Sequence, residues 1–121
     1  DQVPFDDLLN EMIARLVRAY VSNVVFLRSA VQVSLEEPEA WEPFRRNSHE
    51  LAAYLLARIR VEPSIDQSSV HEPTIRFAVQ VLLGTLNNAF INRPGPLFLE
   101  DPEFPVLLRN AVEKTMSMTR L

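Results

Sequence analysis

The sequence predicts a single all-α domain. Hydrophobic residues make up 47% of the 121 residues, a share typical of a chain that folds around a core. Apolar residues recur at spacings of three and four along most of the chain, which is the period of amphipathic helices. Only two glycines are present, and β-branched runs bounded by turn signals, which indicate strands, are missing. We therefore interpret residues 1–121 as one domain of five helices.

Prolines mark the starts of the predicted helices, because proline is tolerated at the first helical position, where its missing N–H is not needed. Pro4 precedes a clean helical period that starts at Phe5. The period loses phase around Ser22 and Asn23, where four apolar residues follow in a row. A kink, or a new short helix that ends near Leu35, explains this change of phase.

Pro38 begins a third predicted helix, which ends near Arg60 and has an apolar face opposite a charged one. The composition from Val61 to Glu72 then turns to Glu, Pro, Ser, Asp and Gln. This composition predicts a flexible surface loop. It is not a domain linker, because neither side of it could fold alone.

Two strongly apolar helical segments, 73–92 and 102–120, follow and are joined by a rigid link at 93–96. The first is apolar in nearly every direction, so we expect it to be buried on more than one side. The second begins after Asp101 as N-cap and has one broad apolar stripe, which a terminal helix has few neighbours to cover. Both segments therefore predict a helix-pair dimer interface. The residues of the stripe are Phe104, Leu107, Leu108, Ala111, Val112, Thr115 and Met118.

Charge and composition exclude several classes of partner. The formal charge is −4, and the basic residues are scattered, so the chain has no basic surface for direct nucleic-acid binding. Cysteine is absent, which excludes thiolate chemistry and fits a reducing compartment. The sequence has no signal peptide and no span long enough to cross a membrane. We expect a cytoplasmic protein without a membrane partner.

Motifs for catalysis and metal binding are missing. The sequence has no phosphate-binding glycine loop and no Ser/His/Asp set in a recognisable spacing. Its two histidines, His49 and His71, form no His-x-x-x-His pair, so we expect no specific metal site. We therefore expect neither an enzyme nor a cofactor.

Four short segments have local sequence patterns similar to those of one protein family: Leu16–Tyr20, Pro38–Trp41, Phe77–Leu86 and Glu100–Phe104. With the order of five helices, they resemble the C-terminal regulatory domain of the TetR family of transcriptional repressors over essentially the whole chain. In that family this domain dimerises through its last two helices, binds a small molecule in its core and controls an N-terminal DNA-binding headpiece. The resemblance implies effector sensing, homodimerisation, and DNA binding only through a headpiece absent from these residues. We expect a truncated regulator rather than an orphan regulatory domain.

An effector site of this kind would lie between the first four helices, where apolar and aromatic side chains surround a few polar groups. Ser48 and His49 lie on or beside an apolar face, where an unpaired polar group would cost about 1–3 kcal/mol. A ligand could satisfy them; alternatively, Ser48 bonds its own helix and His49 reaches solvent. The aromatic candidates, for which ordinary core packing is the alternative, are Tyr20, Phe26, Trp41, Phe44, Tyr54 and Phe77.

A polar line on the fourth helix includes Arg76, Gln80 and Asn87, with Gly84 beside it. At an interface, Gly84 would let another helix approach closely while the amides set the register. At a pocket, the same groups would bind the polar end of a ligand, and on a solvated face they would have no role. A mid-helix glycine costs about 1 kcal/mol relative to alanine, so we assign Gln80, Gly84 and Asn87 mainly to the dimer interface.

Two other classes of function remain open from the sequence. Apolar helix faces also suit an interaction module that meets a different protein and has no ligand or DNA role. A small helical carrier of lipophilic molecules would have a cavity but would not need to dimerise. A stable homodimer with a cavity would distinguish a repressor-type domain from both.

Overall fold

A computed structural model describes residues 3–91, 93 and 95–121; Asp1, Gln2, Asn92 and Pro94 lie outside this description. The all-α prediction is confirmed: the described residues form helices and no strand. None of these helices is long and apolar enough to span a membrane. The five helices are α1 (Phe5–Ser22), α2 (Val24–Glu36), α3 (Glu42–Arg60), α4 (Glu72–Ile91) and α5 (Phe104–Met116).

The prolines lie near helix starts, with shifts of a few residues. Pro4 is the N-cap residue of α1, and Pro73 lies in the first turn of α4. Pro38 instead begins a short 3-10 turn that precedes α3. The predicted start at Pro102 is two residues early, because Pro105 is the proline in the first turn of α5. A fixed φ suits several positions around a helix N-terminus, so proline marks the region of a start rather than its residue.

The predicted break between the first two helices is confirmed. Asn23 separates α1 from α2 with a φ of −122°, and its side-chain amide donates to the Ala19 carbonyl at 2.8 Å. This side-chain bond ends α1 locally. α2 then begins at Val24 as a separate helix, which explains the change of phase in the sequence.

The core lies among α1, α4, α5 and the second half of α3. α1 buries one stripe, as an amphipathic helix does, whereas α4 packs against α1, α3 and α5. The prediction that this helix is buried on more than one side is therefore confirmed. The largest fully buried side chains are Phe5, Leu9, Ile13, Leu55, Ile59, Ile65, Ile75, Leu82, Leu86, Phe90, Val112 and Met116.

α5 is shorter than predicted at both ends. Asp101 does not cap it; its Oδ2 instead accepts from the Phe98 backbone N–H at 2.8 Å and stabilises the preceding turn. At the other end Ser117 takes a left-handed conformation with φ at 55°, which ends the helix. Met118 and Arg120, predicted as helical, therefore lie in a short C-terminal tail.

The predicted flexible loop is an ordered support for that tail. Ile65 is 1% exposed and enters the core, and it forms an antiparallel bridge with Arg120. The Asp66 backbone N–H donates to the Thr119 carbonyl at 2.8 Å. The polar composition of the loop gave no indication of this role, because the loop is ordered by backbone hydrogen bonds to the far end of the chain.

A cluster of two arginines and two carboxylates joins α1 to α5 and the tail. Arg109 donates to Asp6 at 3.0 Å, to Asn10 at 2.8 Å and to Glu113. Arg120 donates to Asp6 at 2.7 Å and to Glu113 at 2.8 Å. The Arg109 side chain is only 19% exposed, so solvent screens its pairs less than it screens pairs on an open surface.

The link between α4 and α5 is held by its own side chains. Arg93 pairs with Glu100 at 2.6 Å and lies 5.0 Å from the ring centroid of Phe98. Gly95 has a φ of +68°, and a Cβ there would lie 3.2 Å from the Phe98 ring. Glycine is therefore required at this position both by backbone conformation and by the close ring.

Candidate functional site

An open groove of about 1160 Å³ lies between α1, α2, α3 and α4. The groove exists because the first half of α3 does not close onto α1 and α4. No residue between 42 and 51 is buried, whereas Ala52, Leu55 and Ile59, farther along the same helix, are. α2 contributes only Val31 and Ser34 to the buried residues.

The floor of the groove is formed by α1 and α4. Leu16, Val79 and Leu83 give it apolar surface, and Tyr20 and Asn87 give it two polar groups. All five side chains are buried or half-buried. The floor is thus mostly apolar with a single polar pair, a composition typical of ligand sites.

A hydrogen bond joins the two polar groups of the floor. Tyr20 Oη donates to Asn87 Oδ1 at 2.9 Å, and the Tyr20 ring packs edge-on against Phe90 with the centroids 5.2 Å apart. Burial raises the pKa of Tyr20 above its ordinary value of 10.0, because a phenolate loses solvation there. The phenol therefore stays protonated at neutral pH and remains a donor.

Charged groups lie at the rim instead. Arg45 pairs with Glu42 at 3.2 Å, while Arg76 forms no ion pair within the part of the chain that the structure describes. A smaller hollow of about 260 Å³ adjoins the rim beside Arg76. The exposed polar residues of the rim are Arg45, Asn47, His49, Glu50, Arg76 and Gln80.

Five of the eight predicted ligand-site residues line the groove. Ser48 Oγ donates to the Arg45 carbonyl at 2.8 Å, so its own helix satisfies it, as the alternative interpretation held. His49 is exposed to solvent at the rim. Neither residue therefore needs a ligand for its hydrogen bonds. The five residues are Tyr20, Phe44, Ser48, His49 and Phe77.

The other three predicted aromatics do not line the groove. Phe26 is 72% exposed, because the break before α2 turns it outwards and places Leu27 on the groove side. Tyr54 is 51% exposed on α3. Trp41 packs edge-on against Phe44 with centroids 5.4 Å apart. The helical period assigns such residues to an apolar face of a helix. It does not specify whether that face contacts another helix, the groove or solvent.

Gln80, Gly84 and Asn87, predicted mainly for the dimer interface, lie along the groove. Their positions, three and four residues apart, follow one side of α4. A Cβ at Gly84 would meet nothing within 4 Å, so no helix of the same chain approaches closely there. The polar line is therefore a wall of the groove in the single chain.

The predicted interface stripe on α5 is divided by the structure. Phe104, Leu108 and Val112 are buried in the chain's own core, so they cannot contact a second copy while that core is closed. The apolar stripe is broad because α5 packs against two helices of the same chain, α1 and α4. Its other members are Thr115 and Met118, which are half-buried, and Leu107 and Ala111, which are exposed.

Some groove residues had no distinguishing signal in the sequence. Leu16, Leu27, Leu51 and Leu83 line the groove, and none was predicted to do so. Each leucine follows the same helical period as the core leucines. A leucine that faces a groove and one that faces a core therefore look alike in sequence.

Neither a comparison with known proteins nor a cluster of possible metal ligands identifies a function for this site. Comparisons of the chain with models of known families, with curated proteins and with solved structures found no match. Among the described residues, no group of three or more histidine and acidic side chains is placed to hold a metal ion. The geometry of the groove is therefore the basis for assigning a function.

Proposed function

We propose that the chain is an effector-sensing and dimerisation domain of the TetR type, which binds a small and mostly apolar molecule in the groove without catalysis. The observation that carries this proposal is the groove of about 1160 Å³ between α1, α2, α3 and α4. Its apolar floor with one polar pair is the composition that small-molecule sites share. The order of the helices, with α4 and α5 packed together at the end, supports the same architecture.

The proposed pairing surface consists of exposed apolar side chains of α4 and α5, of which Phe77 on α4 also lines the groove. Phe77 is 57% exposed and Ile91 is 38% exposed on α4, while Val106 and Leu107 are 61% and 51% exposed on α5. Large apolar side chains exposed together are typical of protein interfaces. Burying these side chains against a second copy would leave the core residues of α5 in place, so the homodimer does not require the chain to rearrange.

α4 connects the two proposed activities. This helix lines the groove through Phe77, Gln80 and Asn87. Ile91, four residues after Asn87 and therefore on the same face, is exposed at the end of the helix. An effector that binds one arrangement of α4 more tightly shifts the population by that difference in affinity, typically about 1–3 kcal/mol. The output to DNA would pass through a headpiece outside these 121 residues.

Ligand binding is tested with the neutral dye N-phenyl-1-naphthylamine, whose fluorescence rises in apolar sites. We expect saturable binding to the wild type and a loss of at least about 10-fold in affinity for Leu83→Trp, because the larger ring fills part of the floor. Leu35→Trp is the matched control, since Leu35 is 74% exposed on α2 and does not line the groove. Equal binding by both variants would remove the groove from the proposal.

Pairing is tested by light scattering over a concentration series. We expect a dimer that Leu107→Glu weakens by about 10-fold or more, because a charge placed in an apolar contact loses solvation. The same substitution at exposed Leu35 is the control and should leave the mass unchanged. A wild-type mass that stays monomeric at all concentrations would contradict the pairing.

One observation favours a second function, an interaction module for a different protein. α2 exposes Val25, Phe26 and Leu35 at 76%, 72% and 74%, and none of them lines the groove. A monomer that binds no dye but associates with another protein through α2 would support this alternative. Phe26→Ser should then abolish that association, whereas Leu107→Glu should not.

A further inference from the structure

The polar groups of the groove are sorted by burial. Ionisable side chains, such as Arg76 and Glu50, lie at the exposed rim, whereas Tyr20 and Asn87 on the floor are half-buried and neutral. A ligand that reaches the floor therefore meets no opposite charge there. An ionic end placed on the floor would lose its hydration without gaining a counter-ion, which is strongly unfavourable.

The pair of polar residues on the floor has an unused hydrogen-bond donor. Tyr20 has one hydroxyl hydrogen and the Asn87 amide has two hydrogens, and one hydrogen is used in the bond between them. Within the described residues, the Asn87 amide nitrogen donates to no other group. Tyr20 already uses one lone pair of the amide oxygen, whereas both amide hydrogens are unused among the described residues, so the larger free capacity of Asn87 is for donation. The matching ligand group is a neutral acceptor.

We infer that the groove takes a ligand with an apolar body and a neutral carbonyl group, such as a ketone, ester or amide, which accepts a hydrogen bond from Asn87. This inference rests on the proposed function and names the ligand class of the same groove. The carbonyl lies on the floor beside Tyr20, with the apolar body along Leu16 and Leu83. Tyr20 positions Asn87, because its hydroxyl holds the amide oxygen while Phe90 holds its ring.

The exposed guanidinium of Arg76 suggests the competing chemistry, an anionic head held at the rim. A guanidinium in water gains little from such a pair, whereas a hydrogen bond on a half-buried floor is screened less. The carbonyl class therefore fits the buried part of the groove better. The experiment includes the anion as a direct competitor.

The test displaces N-phenyl-1-naphthylamine from the wild type with three ten-carbon probes: 2-decanone, decanoate and decylammonium. All three have closely matched apolar bodies and differ at the head. We expect 2-decanone to displace the dye at concentrations about 3- to 10-fold lower than either ion, as one net hydrogen bond allows.

Asn87→Asp tests the assigned donor, because it keeps the shape of the side chain but replaces the amide nitrogen with an oxygen. We expect this variant to lose the preference for 2-decanone and to favour decylammonium. Asn110→Asp, on the exposed surface of α5, makes the same change of charge away from the groove and should keep the wild-type order. If Asn87→Asp does not fold, the double variant Tyr20→Phe with Asn87→Leu removes the floor donors without adding charge and should weaken displacement by 2-decanone about 3- to 10-fold relative to the wild type.

The outcomes separate the inference from the proposed function. In one outcome the dye binds the groove, but decanoate or decylammonium displaces it at the same concentration as 2-decanone. This outcome overturns the carbonyl class of ligand but is consistent with a sensing groove. An unchanged preference in the folded Asn87 variant overturns the role of Asn87. Dye that does not bind the wild type, or binding that Leu83→Trp leaves unaffected, overturns the sensing function itself.

Discussion

Two regions of this molecule are built from similar amphipathic helices and reach different degrees of burial. The core region, formed by α1, α4, α5 and the second half of α3, contains almost all of the fully buried side chains. The groove region, formed by α2 and the first half of α3, buries only Val31 and Ser34. Arg28 Nε on α2 donates to the Phe90 carbonyl of α4 at 2.9 Å. The apolar residues through which α2 contacts the core are Val24, Leu27 and Val31.

The difference shows how a small helical domain can combine a stable frame with an adaptable site. Burial of apolar surface is the main source of stability, so the core region carries most of the free energy of unfolding. The groove region has few buried contacts, which is the property of segments that open locally at low cost.

The largest expected effect compares a leucine in each region. Leu82→Ala in α4 should lower the free energy of unfolding by about 2–5 kcal/mol, because it leaves a cavity at a site with 0% exposure. Leu35→Ala in α2, at 74% exposure, should change it by less than about 0.5 kcal/mol. Urea unfolding followed by circular dichroism measures both. Similar losses in the two variants would mean that α2 belongs to the stable core.

The second prediction concerns the arginine that ties α1 to α5. Arg109→Ala should cost about 1–3 kcal/mol, because it removes a guanidinium that is only 19% exposed and leaves the partly buried Glu113 and the exposed Asp6 with fewer partners. Arg15→Ala is the matched control; Arg15 pairs with Glu11 but is 73% exposed, so about 0.5 kcal/mol or less is expected. Urea unfolding at low and high salt compares them, and a loss no larger than the control's would assign the cluster to the ordinary surface.

The third prediction concerns Gly84, which lies in the groove wall on α4. Gly84→Ala should raise the free energy of unfolding by about 0.5–1 kcal/mol, since alanine favours the helix and its Cβ meets nothing within 4 Å. Thermal unfolding of a dilute sample measures the gain in the monomer. A gain that disappears at concentrations where dimer forms would place a helix of the second copy against Gly84.

The smallest expected effect is a pH dependence at the groove floor. The pKa of Tyr20 is raised above 10.0 by burial, so the folded chain holds this proton more strongly than the unfolded chain does. Its stabilising contribution is therefore complete below pH 10 and is lost as the pH rises through the folded-state value. The stability difference between wild type and Tyr20→Phe should shrink as the pH rises above 10, with Tyr54→Phe as the exposed control. A constant difference would contradict the burial of Tyr20.

Much of the fold was predictable because its signals are local. The break around Asn23 showed as a loss of helical phase, and the burial of α4 showed as apolar residues in all directions. The ends of α5 were not predictable, because Ser117 ends the helix where the tail turns to meet Ile65. The ordered loop around Ile65 was missed for the same reason, since its partners lie at the other end of the chain.

The candidate site was predictable only in part. Aromatic residues at helical spacing were visible, but Phe44 lines the groove and Phe26 faces solvent. The difference arises from the rotation of each helix about its axis, which a period does not specify. The polar line on α4 was visible too, yet its assignment to an interface or a groove depended on which helices leave that side open.

The sequence by itself determined that this protein is helical, roughly where its helices begin, and which faces are apolar, because these depend on proline, charge and a period read along a few turns. Only the tertiary structure decided that α2 and the first half of α3 stand away from the frame and leave a groove. It also decided that Tyr20 meets Asn87, 67 residues farther along the chain. The physical reason is that an apolar face must be covered to exclude water, and many different neighbouring helices can cover it. A binding site, in contrast, depends on which helices pack together and at what orientation.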